Sequence, residues 1–301
     1  MIYTVTMNPA IDYVVRLAGA LCPGRINRSV GEDFQYGGKG INVSNVLRRL
    51  GQDTVALGFV AGQTGTWLEQ GLKDMGLNTC FVHLEQGMTR INVKVKAGGE
   101  TEINGLGPVI DGAALERLYQ QLNRLEAGDV LVLSGSVPGS LDAGAYARIL
   151  ERLQGRNVLS VVDAAGDLLL QTLPKRPFLI KPNGQELADL FRKPMNEEED
   201  LVEAARELQK RGARNVLVSL AEDGALLLDE TGKIHRVATP QGDVINSVGA
   251  GDSMVAGFLA GYLETGDYST ALRLGVAAGS ATAFSLGLAE KELIEQLYRQ
   301  L

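Results

Sequence analysis

Late in the chain, Asn246-Ser247-Val248-Gly249-Ala250-Gly251-Asp252-Ser253-Met254 runs from a polar loop through Gly-Ala-Gly into a helical pattern. Glycines at a helix entrance leave backbone N–H groups pointing outward, and the helix dipole adds partial positive charge. Phosphate oxygens, or charge developing on a phosphoryl group, suit such a place. Asp252 stands beside it as a carboxylate able to take a proton from an attacking hydroxyl. Phosphoryl transfer needs little beyond positioning, charge stabilisation and such a base. The same tetrapeptide in isolation also fits a tight turn with an Asp cap.

Four further segments carry compatible chemistry. Gly37-Gly38-Lys39-Gly40-Ile41-Asn42 precedes a helical pattern and offers close backbone approach, a cation at Lys39 and an amide at Asn42 that can fork to sugar hydroxyls. Asn8-Pro9-Ala10-Ile11-Asp12 follows the first strand, and ligands of open α/β sheets lie at the carboxyl ends of strands. Asp12 can therefore accept hydrogen bonds from a polyol. In Lys181-Pro182-Asn183-Gly184-Gln185-Glu186 the spacing places Asn183 and Glu186 on one face of a first helical turn. Glu186 could hold a hydrated Mg²⁺ beside a nucleotide, or complete a capping box with Asn183, or do both. Ser219-Leu220-Ala221-Glu222-Asp223-Gly224 would bring a hydroxyl and a glycine near a nucleotide, although a plain turn has the same composition. Arg25, Arg28, Lys39 and Arg90 form a cationic set in an acidic chain, suited to an anionic substrate.

The elements that must position these residues alternate along the chain. Strand-like runs at 53–60, 129–134, 157–163, 177–181 and 215–220 are continuous in Val, Leu and Ile, and helical patterns lie near 64–75, 142–154, 184–191, 197–211, 251–264, 268–285 and 289–301. Continuous apolar strands between helices predict a parallel sheet buried on both faces. Small residues at 277–281 predict close helix packing. Segments 11–36 and 88–106 break the rhythm and read as antiparallel strands of a small accessory sheet. In the second, Ile91, Val93 and Val95 share one face, and Arg90, Asn92, Lys94 and Lys96 the other. The apolar face calls for a cover, from a second subunit or from the chain's own domain.

Composition narrows the classes. Among 301 residues, 29 Lys and Arg against 36 Asp and Glu leave a net charge of −7, which disfavours a nucleic-acid partner. No apolar run is long enough to suggest a membrane partner, and Met1–Met7 reads as a first strand, not a signal peptide. Cys22 and Cys80 form no disulfide framework, which fits a reducing cytoplasm. Cys80 with His83 lacks the second pair of a zinc site, so His83 and His235 are read as structural. Neither a P-loop spacing nor a G-x-G-x-x-G after the first strand occurs.

Taken in order, N-P-A-I-D at 8–12, G-G-K-G-I-N at 37–42, S-G-S-V-P at 134–138, K-P-N-x-x-E at 181–186 and N-S-V-G-A-G-D at 246–252 resemble the PfkB/ribokinase family of carbohydrate kinases over essentially the whole chain. Thr89–Lys94 and Thr101–Asn104 are similar to the lid of its sugar-phosphate branch. The resemblance implies one domain over 1–301, a three-layer α/β/α ribokinase-like sandwich with a mostly parallel sheet and a small antiparallel β-lid from about 11–36 and 88–106. It implies ATP- and Mg²⁺-dependent phosphorylation of a ketose monophosphate. Fructose 1-phosphate going to fructose 1,6-bisphosphate is the first expectation, and tagatose 6-phosphate or fructose 6-phosphate the alternatives. Roles follow from it residue by residue. Asp252 is the base, and Gly249, Ala250 and Gly251 the anion hole. Asp12, Gly38, Lys39 and Asn42 hold the sugar. Arg90, with Arg25 or Arg28, binds its phosphate, which Ser136 also touches. Lys181, Asn183, Ser219, Gly224 and Gly251 line the ATP site, with Glu186 in the Mg²⁺ network. Relatives' lids often pair between subunits, implying a homodimer. Many members carry Asp where this chain has Asn246, which leaves K⁺ activation open. A non-catalytic nucleotide-binding regulatory protein is the alternative from another class, and the intact Asp252 argues against it.

Overall fold

Strands such as Val130–Ser134 bury every residue, and successive side chains enter opposite cores: Val130 and Val132 join one, Leu131 and Leu133 the other. The two cores are comparable, with 32 and 27 buried residues, so the sheet between them has no solvent face. A computed structural model describes residues 1–301. The first half contains β1 (Ile2–Thr6), β2 (Ala10–Leu17), β3 (Ser29–Gly37), α1 (Lys39–Arg49), β4 (Thr54–Ala61), α2 (Gly62–Asp74), β5 (Asn78–Leu84), β6 (Arg90–Lys96), β7 (Glu100–Ile103), α3 (Gly112–Leu122), β8 (Val130–Ser134) and α4 (Ala145–Arg152). Then follow β9 (Leu159–Asp163), α5 (Gly166–Leu170), β10 (Leu179–Ile180), α6 (Gly184–Phe191), α7 (Glu198–Lys210), β11 (Asn215–Ser219), β12 (Ala225–Leu228) and β13 (Ile234–Val237). Three helices close the chain: α8 (Ala250–Thr265), α9 (Tyr268–Ala283) and α10 (Lys291–Tyr298).

The main sheet has nine strands in the order β13-β12-β11-β10-β9-β8-β1-β4-β5. Pairings from β5 across to β11 are parallel, and β12 and β13 add an antiparallel edge. Residues of α3, α4, α6 and α7 pack on one face, and residues of α1, α8, α9 and α10 on the other. The helices α8 and α9 meet along small residues: a β-carbon on Gly257 would lie 2.8 Å from Ala278 Cβ, one on Gly261 3.0 Å from Ala271 Cα, and one on Gly279 3.1 Å from Ala250 O. The three-layer sandwich is thus as the apolar runs indicate.

A second sheet, ordered β3-β2-β6-β7, stands apart. Its hairpin-like pairs β2–β3 and β6–β7 are antiparallel, and β2 and β6 run parallel where they join. The direction has a simple cause: β2 follows β1 and β6 follows β5, and those two strands already point the same way in the main sheet. Within the span 11–36, residues between β2 and β3 form an exposed loop and no strand. Ile11, Tyr36 and Ile91 seat this sheet on a small core with Leu68 and Leu72 of α2.

His83 pairs with Glu69 at 2.7 Å, and His235, nearly buried, pairs with Asp229 at 2.8 Å. Both pairs brace local structure away from the cleft described next.

Candidate active site

The carboxyl ends of the parallel strands supply the floor of a cleft of about 440 Å³ with polar side chains. Thr6 ends β1, Ser134 ends β8, Asp163 ends β9, Lys181 follows β10 and Ser219 ends β11. The second sheet covers this cleft with Asp12 of β2 and with Arg90 and Asn92 of β6. Helix α1 contributes Lys39 and Asn42, and helix α8 contributes Gly251 and Asp252. A larger cleft of about 800 Å³ adjoins it and shares Asn183, Ser219 and Gly251. Its lining is largely apolar where Val244, Met254, Val276, Ala283 and Phe284 converge. A polar cavity and an apolar slot therefore meet at the first turn of α8.

That turn has the geometry its glycines predict. Gly249 caps α8 with φ 82°, a left-handed conformation that a side chain would strain. A β-carbon there would also press on Leu288 at 2.7 Å. Ala250 N–H is taken by Ser247 O, whereas no main-chain acceptor takes the N–H of Gly251 or Asp252. A β-carbon on Gly251 would lie 3.2 Å from the Lys181 ammonium, so a cation stands beside those free donors.

Asp252 is buried, 5% exposed, yet lines the polar cleft. Asn42 Nδ2 donates to its Oδ2 at 2.8 Å across 210 positions of chain. Burial first, and the negative charge of Asp163 second, raise the Asp252 carboxyl to about 6. Asp163 behaves oppositely. Burial opposes its ionisation, but Lys181 and Lys39 outweigh that and hold its carboxyl below the usual range. Their ammonium groups lie 3.3 Å from Asp163 Oδ1 and Oδ2 respectively, and Ser134 Oγ donates to Oδ2 at 3.3 Å. Two acids in one cleft are thus separated in acidity, Asp163 by the ammonium groups beside it and Asp252 by burial and the Asp163 charge, a pattern that assigns acid and base roles in enzymes.

The remaining expected residues divide. Asp12, Gly38, Lys39, Asn42, Arg90, Ser136, Lys181, Asn183, Ser219, Glu186, Gly249, Gly251 and Asp252 all line the polar cleft, and Gly224 and Ala250 line the adjoining one. Arg25 and Arg28 do not join them. They are exposed in the loop between β2 and β3, which no strand pairing draws toward the cleft, so within this chain the expected phosphate contact falls to Arg90. Asn42 directs its amide at Asp252, a contact that its reading as a sugar ligand did not include. Asn183 and Glu186 form the capping box: Asn183 Oδ1 accepts from Glu186 N–H and Glu186 Oε2 accepts from Asn183 N–H, both at 2.8 Å. Asn246 braces its loop, with Oδ1 accepting from Val248 N–H and Nδ2 donating to Leu286 O, each at 3.1 Å.

Asp163 was missed as a site residue, as were Asn8, Asn92 and the apolar slot. For Asp163 a signal existed, since a carboxylate closing an apolar strand of a parallel sheet sits where ligands bind. The slot had none, because its walls come from segments far apart in the chain.

A nucleotide-sized slot, free helix-end donors, two ammonium groups and a carboxylate of raised pKa together can move a phosphoryl group onto an alcohol. Fold and site define a small-molecule phosphotransferase class. The chain belongs to the pfkB family of carbohydrate kinases, whose family model matches residues 3–294. It is 44% identical over 297 residues to the 1-phosphofructokinase of Bacillus subtilis (strain 168), covering 99% of this chain and 97% of the relative. It is 40% identical over 303 residues to the D-tagatose-1-phosphate kinase of Bacillus licheniformis, covering 100% and 98%. Among solved structures, Escherichia coli phosphofructokinase-2 in complex with substrates and products matches with a TM-score of 0.93 at 29% identity, covering 100% of this chain and 99% of that one.

Proposed function

We propose that the chain transfers the γ-phosphoryl group of ATP to the free primary hydroxyl of a ketose 1-phosphate, with fructose 1-phosphate giving fructose 1,6-bisphosphate. The observation that carries the reading is Asp252, its carboxyl raised to about 6, lining the polar cleft next to Gly251, which both clefts share. In this reading Asp252 takes the proton of the attacking hydroxyl, the oxygen bonds to the γ-phosphorus, and the bond to the β-phosphate bridging oxygen breaks to release ADP. Free N–H groups of Gly251 and Asp252, in the Gly249–Gly251 turn, stabilise the charge that develops on the transferring oxygens. Asp12, Lys39 and the Gly38 backbone orient the sugar, Asn42 aims the base, and Arg90, together with Ser136 of the same cleft, binds the phosphate already present. Lys181 stands at the nucleotide phosphates, and Asn183, Ser219 and Gly224 line the nucleotide.

Mg²⁺ fits this donor set as a hydrated ion shared with nucleotide phosphates, since no group of three or more acidic, His or Cys side chains forms a cage. Glu186 lines the cleft with one oxygen engaged in the capping box, and its carboxylate would hold such an ion through water. The ion would neutralise charge on the phosphates. We assign Asn246 to its loop's hydrogen bonds with Val248 N–H and Leu286 O.

The B. licheniformis relative favours D-tagatose 1-phosphate as a second substrate reading. Fructose 6-phosphate and tagatose 6-phosphate rank behind both, because the full-length relatives at 40% and 44% identity carry 1-phosphate names. Product identification by ³¹P spectroscopy after incubation with ATP, Mg²⁺ and each of these four ketose phosphates tests the reading. A bisphosphate from a 1-phosphate is expected. ATP binding without turnover of any of the four would favour a regulatory nucleotide-binding protein instead.

We further propose that β2, β3, β6 and β7 form a lid within one kinase unit, that the protein is cytoplasmic, consistent with its two free cysteines, and that it is a homodimer. No helix is long and apolar enough to cross a membrane. The face of the lid opposite Asp12 carries Tyr13 stacked on Phe34, with Ile103 in register two strands away. Phe34 and Ile103 are 50% and 62% exposed even though Phe34 also meets Trp67 of α2 edge-on, and apolar side chains left open on one face are the kind of surface a second subunit covers. Replacing both, Phe34→Asp with Ile103→Asp, should shift the sedimenting species from dimer to monomer. A wild-type protein that sediments as a monomer at micromolar concentration removes this part.

A further inference from the structure

Strand β6 presents Arg90, Asn92 and Lys94 at alternate positions toward Asp12, and residues 104–107 lie against them as a strap. Asn92 is 7% exposed and uses both ends of its amide. Its Nδ2 donates to Asp12 Oδ1 at 2.8 Å, while its Oδ1 accepts from Gly105 N–H at 3.2 Å. The strap is tied twice more. Asn8 Nδ2 donates to Leu106 O at 3.1 Å, and Arg90 Nη1 reaches Gly105 O at 3.5 Å. Arg90 is itself anchored through Nε to Asn8 O at 3.1 Å. The approach of the strap is close enough that a β-carbon on Gly105 would lie 3.0 Å from both Arg90 Cβ and Ile91 O. Asp12 Oδ2 faces the Lys94 ammonium at 3.6 Å, and Lys94 also faces Glu102 Oε1 at 3.4 Å.

From this geometry we infer that Asn92 is a positioning residue for the sugar phosphate, acting through Asp12 and the strap. Without the amide, the Asp12 carboxylate is free to turn wholly to Lys94, and the strap loses the bond that fixes it behind Arg90. An amide suits the place because it accepts from an N–H and donates to a carboxylate at once, whereas an ionised carboxylate only accepts. The inference rests on the functional reading above, in which Asp12 and Arg90 hold the substrate.

Steady-state kinetics on full-length wild type and Asn92→Ala test it. The variant should raise KM for the ketose phosphate about tenfold or more, with kcat within about threefold and KM for ATP unchanged, since a buried partner left unpaired is worth about one decade or more. Asn92→Asp supplies a readout that loosened packing would not move. Its carboxyl abuts Asp12, with Arg90, Lys94 and Glu102 the other charged groups facing the pair. Ionised, it has no hydrogen for Asp12, but once protonated its O–H donates as the amide did. Its kcat/KM relative to wild type at the same pH should therefore rise as pH falls from about 8 to about 6. If that variant does not fold, Gly105→Ala, which pushes the strap away, should reproduce the rise in ketose-phosphate KM. An unchanged KM in Asn92→Ala, or a flat pH ratio in Asn92→Asp, overturns the role of Asn92 alone. A wild type that turns over none of the ketose phosphates instead overturns the functional reading.

Discussion

Asp252→Asn is expected to lower kcat by about 10³-fold or more while ATP binding stays within about threefold of wild type. The substitution keeps the size of the side chain and leaves an oxygen to accept the bond from Asn42, so the turn of α8 and its N–H donors persist. What is lost is the proton acceptor. A factor of 10³ corresponds to about 4 kcal/mol of barrier, within the range that a positioned general base supplies. The wild-type pH profile should carry the same signature. Because burial and the charge of Asp163 raise the Asp252 carboxyl to about 6, the group is ionised and competent above that pH and protonated below it. Activity should fall close to tenfold per pH step on the acid side of about 6, and the residual rate of Asp252→Asn should lack that limb. Retention of more than about a tenth of the wild-type rate would remove the assigned role.

Arg90→Ala should act on the other substrate and on another constant. KM for the ketose phosphate should rise about 10²-fold, with kcat and KM for ATP little changed, because the guanidinium binds a phosphate that takes no part in bond making. About 2.7 kcal/mol is at stake, which matches charge-assisted hydrogen bonds made in a partly desolvated cleft. Two of the Arg90 nitrogens are already committed to Asn8 O and Gly105 O, which hold the fork in place. Arg90→Lys should therefore recover little, since a point charge lacks the planar fork. Selectivity offers the sharper check: the preference for the ketose phosphate over the free ketose should collapse in Arg90→Ala. A ketose-phosphate KM within twofold of wild type would end the assignment.

The two predictions separate because the site has two kinds of order. Asp252 works in the polar cleft, where Lys181, Asp163 and Lys39 form a line of alternating charge that is buried at Lys181 and Asp163 and opens to solvent at Lys39. That line keeps Lys39 charged: burial opposes its ammonium, but Asp163, Asp252 and Glu186 raise its pKa overall. Removing Asp163 would strand two cations, one of them buried, whereas removing Arg90 leaves the reacting end intact.

Much of this is legible in the amino-acid sequence. Continuous apolar runs announced strands buried on both faces, and the helix over 184–191 matches α6 residue for residue. The motifs fell directly after strands, so the general rule for parallel sheets put them at one end of the molecule. The arginine set shows where such reading fails. Arg25, Arg28 and Arg90 share charge and an irregular setting, but only Arg90 sits on a strand whose register faces Asp12. Asp163 shows the converse, a site residue concealed as the last position of a core strand.

Local chemistry thus decided, from residue types and short spacings alone, that the chain makes a sandwiched parallel sheet with glycine-bearing loops at its strand ends. Periodicity and turn geometry act over a few residues, and a sequence displays them openly. Tertiary structure alone decided which groups touch, as with Asn42 meeting Asp252 across 210 positions and Lys39 meeting Asp163 across 124. Acidity was settled there too, because a carboxyl's pKa depends on burial and on charges brought near through space, and distance along the chain fixes neither.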